Sequence, residues 1–255
     1  DLQRSEPSAS ASTLRRHASR PDAQYSFAER ACGDGNAIEG WPAVMTISIA
    51  LFDSIGERIC GVDEAGRGAL AGPVVAGAVI LGDFNFGSVL QDSKILTEAQ
   101  REKAFELILQ HAKDVSFGLV THRWIDRMNI LNASLLAMSR AVMSLKNRPS
   151  LVLVDGNKKP SLPYSASIEA IVGGDRSQSS ISAASIVAKV IRDRLMKKIH
   201  YFFPDYGFES HKGYGTAKHY DNLLRYGVSP VHRRSFNLSV QKRYKYKVNY
   251  NKGLS

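Results

Sequence analysis

The chain has 255 residues, of which 44% are hydrophobic and 23% charged, and it carries a net charge of +10. That supports one well-buried core, with one or two domains allowed by length, and the lack of any apolar run of roughly 18 residues argues against a transmembrane helix. Two cysteines, Cys32 and Cys60, with no CxxC pair are too few for a disulfide framework or a cysteine zinc site, and they fit a reducing cytoplasm.

The charge is uneven. Residues 1–44 hold five arginines against six acids, whereas residues 232–255 hold seven Arg/Lys and no acid. A basic body with a basic end favours a polyanionic partner, because each neutralised phosphate releases counterions. A merely solvated tail is the alternative that charge alone leaves open.

In chain order, residues 1–40 are rich in Ser, Arg and Ala without apolar periodicity, which predicts disorder. Their Arg/Ser bias resembles a transit peptide, but Glu6, Asp22, Glu29 and Asp34 argue against one. Met45 is the first methionine and the expected biological start, with 1–44 a non-native extension or fragment. Arg58 to Asp63 reads as a short strand and Gly72 to Leu81 as a buried β-run. A helix follows the N-cap candidate Thr97, with Glu98 in its first turn. Asp114 to Val120 reads as a strand and Asn129 to Leu145 as a helix. Leu151 to Val154 and Ser167 to Val172 are strands that run into Asp155-Gly156 and Gly173-Gly174-Asp175. Ser179 to Ile199 forms a long amphipathic helix and Thr216 to Tyr226 a shorter one. Strands followed by strand–helix alternation predict an α/β domain with a mixed sheet flanked by helices.

Three acids lie where an apolar strand runs into glycine: Asp63, Asp155 and Asp175. In open α/β sheets ligands bind beyond the carboxyl ends of strands, so the three are expected to converge. Gathered carboxylates repel one another and stay ionised only with a cation among them. Hard oxygen donors favour Mg²⁺ or Mn²⁺. Two such ions, about 3.5–4 Å apart, suit phosphodiester displacement. Asp before Gly is also ordinary turn chemistry, which any one position leaves open. Glu64 joins the site only if the strand ends before it, because successive strand residues face opposite ways. Gly66-Arg67-Gly68 follows, with glycines that allow close backbone approach and an arginine fork for phosphate or sugar oxygens.

The ordered pieces resemble the ribonuclease HII family, the bacterial form of type 2 ribonuclease H. They are Gly61-Val62-Asp63-Glu64-Ala65-Gly66-Arg67-Gly68 with Ala71-Gly72-Pro73-Val74, then Asp92-Ser93-Lys94, Asn129-Ile130-Leu131, Val154-Asp155-Gly156-Asn157 and Gly174-Asp175. Ile181 to Val190 with Arg192-Asp193, Phe203-Pro204, Tyr206-Gly207-Phe208, His211 to Thr216 and His232 to Phe236 complete the match. The resemblance implies a ribonuclease H-like fold, a mixed five-stranded sheet flanked by helices with a helical C-terminal portion. Taken with the composition and charge readings, the chain divides into a disordered extension over 1–44, a catalytic domain over 45–231 that includes the C-terminal helices, and a basic tail over 232–255.

By the same resemblance, Asp63, Glu64, Asp155 and Asp175 are the catalytic, metal-binding carboxylates of a two-ion Mg²⁺ or Mn²⁺ site. The implied substrates are RNA/DNA hybrids and duplex DNA containing single ribonucleotides, cut on the 5′ side to leave 3′-hydroxyl and 5′-phosphate ends. Gly66, Arg67 and Gly68 would sense the 2′-hydroxyl and Tyr214 would pack against the sugar, in keeping with the 2′-hydroxyl as the mark of RNA. Lys94, Lys189, Lys212 and Arg192 are candidate phosphate contacts or site-organising cations. Ser182, Ser185 and Lys189 share one helix face expected to support the metal site. His211, His219 and His232 are read as structural groups rather than zinc ligands. The tail's alternation of Arg243, Tyr244, Lys245, Tyr246 and Lys247 suits phosphate contact and stacking.

One departure from the family pattern is Ile95, where a second lysine commonly follows Lys94. A cytoplasmic monomer is expected, without membrane association and without a clamp-binding motif. A resolvase- or transposase-type nuclease would share the carboxylates but has no use for GRG with HKGYGT. A non-catalytic hybrid-binding module predicts a lost carboxylate, and all four are present.

Overall fold

Two valine-rich runs make the centre of the sheet. In the computed structural model, which describes residues 58–87, 90 and 95–238, β1 (Ile59–Ala65) pairs antiparallel with β2 (Val74–Ile80), and Asp63 stands opposite Gly77. Readings for residues 1–44, Met45, Lys94 and the tail from 239 onward lie outside the described residues. β3 (Asp114–Val120) adds antiparallel to β2, while β4 (Leu151–Asp155) and β5 (Ser167–Ile171) extend in parallel from β1. The order β3-β2-β1-β4-β5 is the mixed five-stranded sheet expected. One boundary is corrected: β1 does not end before Glu64, since Ala65 still pairs with Val75.

Helices cover both faces. Beneath one face lie α1 (Glu98–His111) and, after the short α3 (Gly174–Ser177), the long α4 (Ser179–Phe202), packed on Val75, Val79 and Val115. On the other lies α2 (His122–Met143), whose Ala133, Ala137 and Ala141 recur every fourth residue against Val62, Val74 and Val154. Thr97 caps α1 through a capping box with Gln100. α2 begins earlier than the spacing predicts and breaks at Asn129, whose φ of 68° and ψ of 166° end one helical stretch and start another.

Glycine sets how closely α4 approaches. A Cβ on Gly61 would fall 2.0 Å from the Ser180 carbonyl carbon, and one on Gly77 2.4 Å from the Ala184 oxygen. Helix backbone therefore rests directly on β1 and β2. Beyond α4 a 3₁₀ turn (Pro204–Tyr206), α5 (Phe208–His211) and α6 (Ala217–Tyr226) close a third apolar cluster around Leu70, Met196, Phe208 and Val231. His232 and Arg233, assigned to a tail by the charge pattern, are buried in this portion.

Candidate active site

The pleat decides which way each acid faces. On β1, Cys60 and Val62 point into the α2 core, so Asp63 points toward α4 and Glu64 away from it. Val62 pairs with Val154, so Asp63 and Asp155 are next in register on adjacent parallel strands. Asp155 accepts from the Gly174 amide at 2.8 Å, which draws the Gly173–Asp175 turn over the strand end, and Asp175 follows with only 2% exposure. The Glu64 amide donates to Asp63 Oδ1 at 2.6 Å, and Arg67 Nη1 donates to Glu64 Oε1 at 3.1 Å.

These carboxylates feel one another. Burial, then the charges of Glu64 and Asp155, push Asp63 up to about 7 against a hydrogen bond from Ser185. Burial raises Glu64 as well; Arg67 opposes the rise and Asp155 adds to it. Crowded, desolvated anions of this kind are relieved by a cation or a proton. Four carboxylates make an all-oxygen donor set, which fits a hard divalent ion. As the side chains stand, no three acidic, histidine or cysteine groups among the described residues are placed to hold an ion. Glu64 is turned to Arg67 and Asp63 to the Glu64 amide.

Residues 66–73 form a loop beside the acids, pinned from behind by two buried arginines. Arg192 donates to the carbonyls of Pro73 and Ala71 at 3.1 and 3.3 Å. Arg233 donates to Gly72, Arg67 and Pro73 at 3.0, 2.9 and 3.2 Å. Gly66 has a φ of +99°, and a Cβ there would strike Arg192 Nε at 2.0 Å, so glycine is required twice over. Gly68 differs: a Cβ would meet nothing within 4 Å, and its φ is ordinary. Its exposed backbone lies one residue from Ala69, which bridges to Tyr214. The Tyr214 ring is flanked by Arg192 and Lys189, at 5.1 and 5.7 Å from its centroid.

The ribonuclease HII family model matches residues 60–239, which take in all of the strands and helices just described except the first residue of β1. The chain belongs to the ribonuclease HII family. "Ribonuclease HII 1" of Methylibium petroleiphilum is 52% identical over 180 residues, 71% of this chain and 90% of that one. The ribonuclease H2 structure from Pyrococcus horikoshii OT3 superposes with a TM-score of 0.60 at 30% identity, covering 75% of this chain and 99% of that one. The fold is also that of Bst-RNase HIII, solved in complex with Mn²⁺, at a TM-score of 0.58 and 15% identity over 75% of this chain and 71% of that one. Membership brings ribonuclease H activity, hydrolysis of RNA within RNA/DNA hybrids.

Within this ribonuclease HII chain Asp63, Glu64 and Asp155 interact with one another beside the 66–68 loop, although Glu64, still in the strand, faces away from Asp63. Asp175 follows the turn that Asp155 holds, and the basic residues scatter. Lys189 binds Asp193 at 2.7 Å beside Tyr214. Ser185 reaches Asp63, whereas Ser182 donates to the Leu90 carbonyl, so the expected supporting face is shared between the site and the core. Lys212 points inward, at 6% exposure, to the Glu209 carbonyl and Glu98, and Arg192 organises the loop from a buried position. Arg233 had no role in the sequence reading. Its partners are carbonyls about 160 residues away, and nothing local in Val231-His232-Arg233-Arg234 marks it.

Proposed function

We propose that this ribonuclease HII chain incises duplexes on the 5′ side of a ribonucleotide, in hybrids and at single ribonucleotides embedded in DNA, leaving 3′-hydroxyl and 5′-phosphate ends. The observation that carries the reading is Gly68, exposed and without a packing or conformational need for glycine, one residue from the pairing with Tyr214. A missing side chain there suits a backbone that meets the substrate itself.

In this reading the amides of Gly66 to Gly68 and the Arg67 guanidinium bind the ribose and its flanking phosphate, and Tyr214 packs against the sugar. Lys189, half-buried between Asp193 and Tyr214, adds positive charge beside the scissile strand. Lys212 acts from within, holding the turn that leads to Tyr214. Asp63, Glu64, Asp155 and Asp175 would hold two Mg²⁺ or Mn²⁺ ions, which supply an activated water and stabilise the departing 3′-oxygen. Asp155 fixes the Gly174 amide and so keeps Asp175 at the strand end.

The test is a labelled DNA duplex with one embedded ribonucleotide, incubated with Mg²⁺, Mn²⁺ or EDTA. One incision 5′ to the ribonucleotide, dependent on the ion, is expected. Cleavage of hybrids with none at the lone ribonucleotide would overturn the finer reading.

A further inference from the structure

Behind Tyr214 lies a chain of buried imidazoles. His219 Nδ1 is 2.9 Å from the Tyr214 carbonyl oxygen, and its Nε2 is 2.9 Å from His232 Nε2. His232 Nδ1 faces the amide and hydroxyl of Ser229 at 3.0 and 2.6 Å. His211, stacked on His219 with ring centroids 4.4 Å apart, bonds the Tyr206 carbonyl and the Gly213 amide.

These contacts assign the protons. A carbonyl only accepts, so His219 Nδ1 carries hydrogen and its Nε2 is bare. His232 Nε2 must then donate to it, leaving His232 Nδ1 to accept from Ser229. Each ring is neutral with both nitrogens used, and burial together with the neighbouring rings holds His219 at about 4 and His232 at about 3. A fully satisfied buried network fixes geometry where an apolar filling would only occupy volume. Here it ends on Tyr214, whose carbonyl also accepts from Thr216 at 2.8 Å, and whose strand partner is Ala69, while His232 pairs with Ala71.

We infer that His219 and His232 are positioning residues, a relay that sets the Tyr214 peptide, and thereby its ring, against the Gly68–Ala69 backbone for ribose recognition. This rests on the role proposed for Tyr214. It predicts that damage to the relay harms discrimination more than hydrolysis itself.

The experiment compares kcat and KM on a lone embedded ribonucleotide and on a long RNA/DNA hybrid for His219→Leu, His219→Asn and Tyr214→Ala. His219→Leu should lose about tenfold in kcat/KM on the lone ribonucleotide relative to the hybrid. His219→Asn, whose amide can still donate to the Tyr214 carbonyl, should recover most of that loss. Equal losses on both substrates, or no rescue by Asn, would overturn the relay. If Tyr214→Ala leaves the selectivity unchanged, the role of Tyr214 itself fails, and the relay's purpose with it. Nitrogen NMR of the wild-type imidazoles tests the relay without any variant: Nδ1–H on His219 and Nε2–H on His232 are expected, and the reverse tautomers would refute it.

Discussion

Arg233 donates to the main-chain oxygen of Arg67 across 166 residues of sequence, so the C-terminal segment grips the 66–73 loop by its backbone. Two further bonds, to Gly72 and Pro73, bring all three guanidinium nitrogens into play. Arg233→Lys, with a point-like ammonium, cannot span three carbonyls. It should cost about 2 kcal/mol of stability or more and lower kcat/KM on every substrate. Denaturant melts and steady-state kinetics decide it, and wild-type values in both would remove Arg233 from the scaffold.

Asp63→Asn and Asp155→Asn should abolish cleavage while duplex binding is largely kept. Each change removes a like charge from a crowded, desolvated site, so the metal-free fold should not lose stability. The rise in Tm brought by Mn²⁺ in the wild type should shrink in both variants. Wild-type turnover in either would reject the assignment.

The two glycines Gly66 and Gly68 should respond in opposite ways. Gly66→Ala is strained by its φ of +99° and collides with Arg192, and so should destabilise the fold by about 1–3 kcal/mol. Gly68→Ala meets open space and should leave stability within ~0.5 kcal/mol, yet weaken cleavage. Thermal melts beside kinetics separate the two, and a fully active Gly68→Ala would mean that the backbone there does not contact substrate.

The buried histidines should also shape acid stability. His219 and His232 titrate near 6.5 when unfolded but at about 4 and about 3 in the fold. The unfolded chain therefore binds more protons below pH 6.5, and stability falls as pH drops toward 4. Tm measured across that range should decline in the wild type and decline less in His219→Asn. Identical slopes would show that these rings do not carry the effect.

Much of this architecture was open to reading from residue order. Valine-rich runs, Thr97 with Glu98, and Asp155 at the end of its strand are local signals, and each stands near its expected place. The misses have a common cause in long-range or backbone geometry. Glu64 remains in the strand because Ala65 is still paired by β2. The first turns of α2 escaped because the break at Asn129 shifts the phase of the apolar stripe between its halves. Lys212 looked like a phosphate contact, but a left-handed backbone at φ 51° sends its side chain inward to Glu209 and Glu98.

The seats at Gly61 and Gly77 have a consequence for how this enzyme can change. Since α4 lies on bare backbone there, the helix that brings Ser185 to Asp63 also carries Arg192 to the loop at Gly66, as one rigid lever. A single methyl at either seat would act as a shim, tilting hydrolysis and the proposed ribose sensing together. On that proposal selectivity and turnover are mechanically geared, and adjusting one without the other has to come from positions beyond that lever, such as Tyr214 and the histidines behind it.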